Sequence, residues 1–267
     1  MPGSLIHSSQ AGAVRTLALA RPQALNSFTS EMLQALLDAL DHAAADQGVR
    51  CIVLTGTGRA FCAGQDLSDP LVAPDPTPGA PAKDLGLMIE RYYNPLVKRL
   101  RAMPVPVVAA VNGVAAGAGA SVALNCDLVI AAQSASFVQA FSKIGLIPDT
   151  GGTWLLPRLV GRARALGLAL LGDKLTAADA ERIGLIWKCV EDAALPGEAQ
   201  ALATRLAAMP SKALAATRKA LDQALLLPMD DALDAELAVQ RELGRAHDYL
   251  EGVAAFSAKR APVFSDR

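Results

Sequence analysis

The chain has 267 residues, a length that suits one large domain, or one domain with a small appendage. Hydrophobic residues make up 52% and charged residues 19%, which supplies a sizeable core and argues against general disorder. A net charge of −1 with no basic block, together with only 4% aromatic residues, argues against nucleic acid as a partner.

Residues 13–20, AVRTLALA, alternate as a strand does, and a proline turn follows at 21–26. Thr29 is placed to cap a helix carrying Leu33, Leu36, Leu37 and Leu40 on one face. Residues 51–54 predict a short buried strand, closed by Gly56 and Gly58. Residues 62–84 hold Pro70, Pro74, Pro76, Pro78 and Pro81 and predict a long loop, of which 68–84 is expected to order on binding. A helix is expected at 85–102, then a buried strand at 107–111. A small-residue helix is expected from Ala118 to Asn125, a strand at 127–131, and a helix from Thr150 to Leu159. Strand, helix and strand in this order predict an α/β fold with mainly parallel sheets. Helices dominate from 162 onward, and 200–260 reads as a separate helical layer and a candidate interface.

Cys51, Cys62, Cys126 and Cys189 are scattered without a C-x-x-C pair, as reduced thiols of a cytoplasmic protein would be. The opening MPGSLIHSSQ lacks the charged and apolar regions of a secretory signal. The apolar runs are short and broken by Gly, Pro or Asp, so no membrane partner is expected. His7, His42 and His247 share no ligand spacing, so no metal is expected either.

Three segments have the makings of a site. In Ala60-Phe61-Cys62-Ala63-Gly64-Gln65-Asp66-Leu67, Gly64 permits a sharp turn or a close approach to a ligand, and the next free amide belongs to Gln65. From Val111 to Ala120 a strand runs through Gly113, Gly117 and Gly119 into a helix start. That pattern serves either close helix–sheet packing or an anion site built from unpaired amides. In Gly145-Leu146-Ile147-Pro148-Asp149-Thr150-Gly151-Gly152, Asp149 fits two roles: a helix cap, or a carboxylate in an apolar pocket with raised proton affinity. No P-loop, dinucleotide fingerprint or G-x-S-x-G elbow is present, so Ser121 reads as a helix residue.

Together with Arg21-Pro22-Gln23-Ala24-Leu25-Asn26, Cys126-Asp127 and the ending Glu251-Gly252-Val253-Ala254-Ala255-Phe256, these segments resemble the crotonase superfamily of enoyl-CoA hydratases and isomerases. The resemblance implies a spiral of β-β-α turns over residues 1–199, holding the coenzyme A and active sites. It implies a C-terminal helical layer over 200–267 that builds a homotrimer, or a hexamer from two trimers. The substrate would be an acyl-CoA thioester, with coenzyme A part of it and no separate cofactor. The backbone N–H groups of Gln65 and Ala118 would form an oxyanion hole. Gln23, Ala24 and Leu25, with Ala63, Gly64, Asp66 and Leu67, would line the coenzyme A site. Gly117 and Phe141 would face the acyl group, and Phe256 and Lys259 would reach a neighbouring subunit's coenzyme A.

Hydratases of the family use two glutamates to activate water, and the matching positions here carry Ser121 and Phe141. Asp149 stands where family isomerases place a catalytic aspartate. The stretch 144–167, IGLIPDTGGTWLLPRLVGRARALG, resembles the ring-opening branch found in phenylacetate degradation, which acts on an epoxide and shifts enoyl double bonds. The expectation is an isomerase with Asp149 as its one acid–base group. A hydratase or lyase using Glu90 or Asp66, and a non-catalytic acyl-CoA binder, are the alternatives.

Overall fold

The computed structural model describes residues 4–267. Strands β1 (Ile6–Ala11) and β2 (Val14–Leu19) form a hairpin, and a 3-10 turn at Pro22–Ala24 leads to helix α1 (Ser30–Ala45). The Thr29 hydroxyl accepts the Met32 N–H at 3.2 Å, which makes it the N-cap expected from the sequence.

The chain then repeats one pattern three times. The first turn is β3 (Cys51–Gly56), β4 (Ala60–Cys62), and a helical stretch made of α2 (Gly86–Met88), a π turn at Ile89–Tyr93 and α3 (Asn94–Arg101). The second is β5 (Val107–Val111), β6 (Val114–Ala116) and α4 (Ala118–Leu124). The third is β7 (Leu128–Ala132), β8 (Ser136–Val138), a 3-10 turn at Ala140–Ile144, and α5 (Gly152–Leu171). Then come β9 (Lys174–Thr176), α6 (Ala177–Arg182), β10 (Lys188–Val190), a 3-10 turn at Asp192–Ala194, α7 (Leu195–Ala207), α8 (Ser211–Ala224), α9 (Met229–Leu243) and α10 (His247–Ser257).

Each β-β-α turn gives its first strand to a six-stranded sheet, ordered β1-β2-β3-β5-β7-β10, and its second to a four-stranded sheet, ordered β4-β6-β8-β9. All pairings are parallel except β1 with β2 and β8 with β9. The central strands are apolar without alternation because both faces are covered; every residue of β5 is buried. The spiral implied by the resemblance is therefore present, with the helical layer after it.

Three expectations need correction. A division at 199/200 falls inside α7, whose buried Leu195, Ala199, Ala203 and Ala207 recur every fourth residue and pack it on the large sheet. Helix α7 thus belongs with the core, and the outer layer starts at α8. The helix expected at 85–102 contains a π turn. The helix expected to stop at Leu159 runs on to Leu171, but it breaks at Gly161, whose φ of 73° is not helical.

Helix α8 is held to the spiral by charge. Arg218 Nη1 donates to both Asp127 carboxylate oxygens, at 3.0 and 2.8 Å, and Nη2 donates to the Met103 carbonyl. Asp127 also accepts the Val107 N–H at 2.7 Å, at the start of β5. Beyond this anchor α8 and α9 bury little, and Leu221, Leu225, Leu226 and Met229 are all exposed. The tail folds back on α10, where the Asp248 carboxylate accepts the Ser265 and Asp266 amides, bringing His247, Asp248 and Asp266 ligating atoms within 4.8 Å of one another. Arg218→Met removes one partner of a largely buried pair and leaves Asp127 uncompensated. We expect it to lower unfolding free energy by about 3 kcal/mol in urea titrations.

Candidate active site

The three strands β4, β6 and β8 lie side by side in the small sheet, and their carboxyl ends deliver the three segments singled out in the sequence. Strand β4 leads into Ala63–Gly64–Gln65, β6 into Gly117 and Ala118, and β8 into the turn that carries Phe141. The spacing between them is set by missing side chains. A Cβ on Gly119 would stand 2.4 Å from the Cys62 carbonyl oxygen and 2.8 Å from its Sγ, so α4 rests directly on β4. A Cβ on Gly64, whose φ is 98°, would stand 2.9 Å from the Ala116 oxygen and 3.7 Å from the Ala118 nitrogen. The Gln65 and Ala118 loops are thereby brought together.

On either side of Gln65 the backbone is paired to Phe28. The Phe28 N–H donates to the Gly64 carbonyl at 2.7 Å, and the Asp66 N–H donates to the Phe28 carbonyl at 2.8 Å. That pairing turns the Gln65 N–H away from the ladder. Among the described residues neither the Gln65 N–H nor the Ala118 N–H has an acceptor. Buried amides are normally paired, so two unpaired donors on adjoining loops are candidates to hold a negative oxygen. Phe141, 6% exposed, sits with its ring 3.8 Å from where a Gly117 Cβ would be.

Asp149 is half-buried, and burial pushes its carboxyl above the ordinary value, offset only in part by the Thr150 hydroxyl that donates to Oδ1 at 2.8 Å. It does not cap α5: the cap position is Gly151, which receives no side-chain bond. Of the two roles open from sequence, the capping role is thus excluded. The apolar residues before it face outward, with Ile147 75% exposed, so they do not form the enclosing pocket expected from the pattern. The site holds together behind it. Asn125 Nδ2 donates to the Ser121 and Thr150 carbonyls at 2.8 and 2.9 Å, tying α4 to the Asp149 loop. Ser121 is fully buried, and its Oγ has no partner among the described residues.

The family model for enoyl-CoA hydratase/isomerase matches residues 9–267. The chain belongs to that family. An Escherichia coli (strain K12) relative named 1,2-epoxyphenylacetyl-CoA isomerase is 55% identical over 95% of both chains. A 2,3-dehydroadipyl-CoA hydratase from the same organism is 35% identical, over 95% of this chain and 96% of its own. The crystal structure of an enoyl-CoA hydratase from Polaromonas sp. JS666 superposes with a TM-score of 0.87 at 34% identity, covering 97% of this chain and 99% of that one.

For this member of the enoyl-CoA hydratase/isomerase family, the structure sorts the remaining sequence candidates. Gln23 and Ala24 lie in the 3-10 turn beside the site and Leu25 caps its C-terminal end, where the Leu25 carbonyl accepts the Ala63 N–H at 3.0 Å. Leu67 is 58% exposed at the mouth of the long loop. The Asp66 carboxylate is already engaged, by Arg21 Nη2 at 2.8 Å and by the Ser68 N–H and hydroxyl at 3.0 and 2.6 Å. The Ser68 and Arg21 bonds hold its pKa down at about 2, so it braces the loop and is no proton carrier. Glu90 is exposed on the π turn. Phe256 lines a groove of about 630 Å³ among α8, α9 and α10 with Lys212, Tyr249 and Phe264, and no residue of the Asp149 site lines it. Lys259, just past α10, is exposed; within one chain neither residue is brought to the free Gln65 and Ala118 amides.

Sequence reasoning missed Arg21, Thr150 and Tyr93. The Tyr93 hydroxyl donates to Gln65 Oε1 at 2.7 Å, and only the shift in helical spacing at the π turn reveals it. Because Gly119 has no room for a methyl group, Gly119→Ala should force α4 off β4. The expected loss is more than about 2 kcal/mol of stability, seen as a lowered urea midpoint.

Proposed function

We propose that this enzyme isomerises acyl-CoA thioesters, with Asp149 as its single acid–base group. The observation that carries the reading is one half-buried, proton-seeking carboxylate, on a loop that Asn125 ties to α4, the helix that opens at the free Ala118 amide, with Ser121 and Phe141 at the positions where hydratases of the family hold glutamates. The thioester oxygen sits between the Gln65 and Ala118 N–H groups. Asp149 takes a proton from the carbon next to the carbonyl, and the negative charge moves to that oxygen. The same carboxyl returns the proton two carbons further along, and the double bond shifts with no atom gained or lost. Each oxyanion donor is typically worth about 100- to 1000-fold in rate.

For the natural substrate we propose an aryl-acetyl thioester bearing a ring epoxide, 1,2-epoxyphenylacetyl-CoA, converted to oxepin-CoA. The 55% identical E. coli isomerase and the Phe141 ring beside Gly117 support this. The outer helices, with exposed Leu221, Leu225, Leu226 and Met229, suit a homotrimer or a hexamer of two trimers. In such an assembly Phe256 and Lys259 would meet a neighbour's coenzyme A. The four free cysteines fit a cytoplasmic setting.

Asp149→Asn keeps the shape and removes the base. Turnover of a 3-enoyl-CoA and of epoxyphenylacetyl-CoA should fall at least about 100-fold while thioester binding is retained. Near wild-type turnover by this variant would sink the reading. Labelled water separates isomerisation from hydration, because only hydration leaves the solvent's oxygen in product.

The pH profile has a defined sign. The base must be ionised, so kcat/KM falls as pH drops through the Asp149 pKa. That pKa lies above the ordinary aspartate value of about 4. Thr150→Val deletes a bond that favours the ionised form, so the acidic limb should move to still higher pH. A limb that stays in place, or moves down, would contradict the assignment.

A further inference from the structure

The buried side chains along the α2–α3 stretch are Met88, Tyr93, Leu96 and Leu100. An unbroken α-helix would follow Met88 with Tyr92, four residues on. The π turn at Ile89–Tyr93 accommodates one extra residue and rotates Tyr93 inward instead, leaving Tyr92 only partly covered. Such a turn is rare and is frequently found at functional sites. Here its product is specific. The Tyr93 hydroxyl reaches Gln65 Oε1 at 2.7 Å, and Gln65 Nε2 in turn donates to the Asp66 carbonyl at 3.0 Å.

The Tyr93 ring stands edge-on to Phe28, with centroids 6.2 Å apart and planes at 77°. Phe28 is the residue whose backbone pairs on both sides of Gln65. Gln65 is therefore held twice, through its backbone by Phe28 and through its side chain by Tyr93. Tyr93 is only 2% exposed, so it does not touch a bound thioester.

We propose that Tyr93 is a positioning residue of the oxyanion hole: its hydrogen bond to the Gln65 side chain fixes the direction of the Gln65 N–H. This rests on Gln65 being an oxyanion donor. Burial pushes the Tyr93 phenol well above its ordinary pKa, with Cys62, Asp149 and Asp69 adding to the rise, so it remains a protonated donor over the working pH range. The π turn, the Phe28 contact and the Gln65 bond thus serve one end, a donor whose aim does not wander while charge builds on the oxygen.

Tyr93→Phe tests this, because it keeps the ring and its Phe28 contact and removes only the hydroxyl. With cis-3-hexenoyl-CoA, kcat should fall about tenfold while KM stays within about twofold. In difference infrared spectra the carbonyl stretch of bound hexanoyl-CoA should shift toward that of the free thioester. Gln65→Met retains the backbone N–H but removes the acceptor, and should show the same losses. The double variant should be no worse than either single one. Unchanged kcat and carbonyl stretch in Tyr93→Phe, or losses that multiply in the double variant, would overturn the proposal. Asp149→Asn, run in parallel, keeps the two readings apart. If it is inactive while Tyr93→Phe is unaffected, only the Tyr93 role falls. If Asp149→Asn turns over normally, the acid–base reading falls, and the carbonyl stretch still decides whether Tyr93 aims Gln65.

Discussion

Helix α4 lies on strand β4 with no room for a methyl group between them, and the geometry of the site follows from that contact. The Cys62 carbonyl occupies the space a side chain at position 119 would need. All seven residues of α4 are buried, and small residues fill its first turn because the strand is so close. The same closeness brings the Gly64 turn beside the Ala118 nitrogen. Two loops from consecutive turns of the spiral thus present their free amides to one place. Close packing, one of the two readings the glycine-rich sequence leaves open, is what the structure shows, and it is compatible with the other, an anion site.

Irregular backbone near a buried site needs partners, and the chain supplies them from a few polar side chains. Asn26, fully buried with a φ of 56°, donates to the Thr57 and Ala60 carbonyls at 2.9 and 2.8 Å and accepts the Arg21 N–H at 2.9 Å. Arg21 then bridges the Ser27 carbonyl and Asp66. Asp69, 3% exposed, accepts the Ser30 N–H and hydroxyl at the start of α1. These bonds fix both ends of the Gln65 segment while the rest of the long loop stays outside the core. Leaving any such group unpaired costs about 1–3 kcal/mol, so the loop's path is well determined where it matters.

The parts of this fold that were legible in the sequence are those with a period or a cap. Helix α1 announced itself through Thr29 and its leucine stripe, and β3 and β5 through continuous apolar runs. Strands β4, β6, β8 and β9 have only three residues each, too few to show alternation, so the second sheet was invisible without the family resemblance. Strand β1, IHSSQA, is polar because it is an edge strand exposed on all but Ile6. Asp149 could be singled out by its glycine neighbours, but its freedom from capping depends on where Gly151 starts the helix. Asp66 looked available for chemistry because its partner Arg21 lies 45 residues away in the chain. Tyr93 escaped notice because a π turn has no signature in side-chain type, only a five-residue step between buried positions.

Cys62 packs beneath the Gly64 turn and against Gly119, its Sγ 3.4 Å from the Gly64 nitrogen. Complete burial pushes this thiol up to about 12. The thiolate is the form that attacks electrophiles, so burial keeps this sulfur in its unreactive thiol form. For a pocket proposed to take in a strained, alkylating ring, that inertness is protective. The sulfur serves as packing material between β4 and α4, and with the epoxide substrate proposed above its burial would leave it out of reach of alkylation.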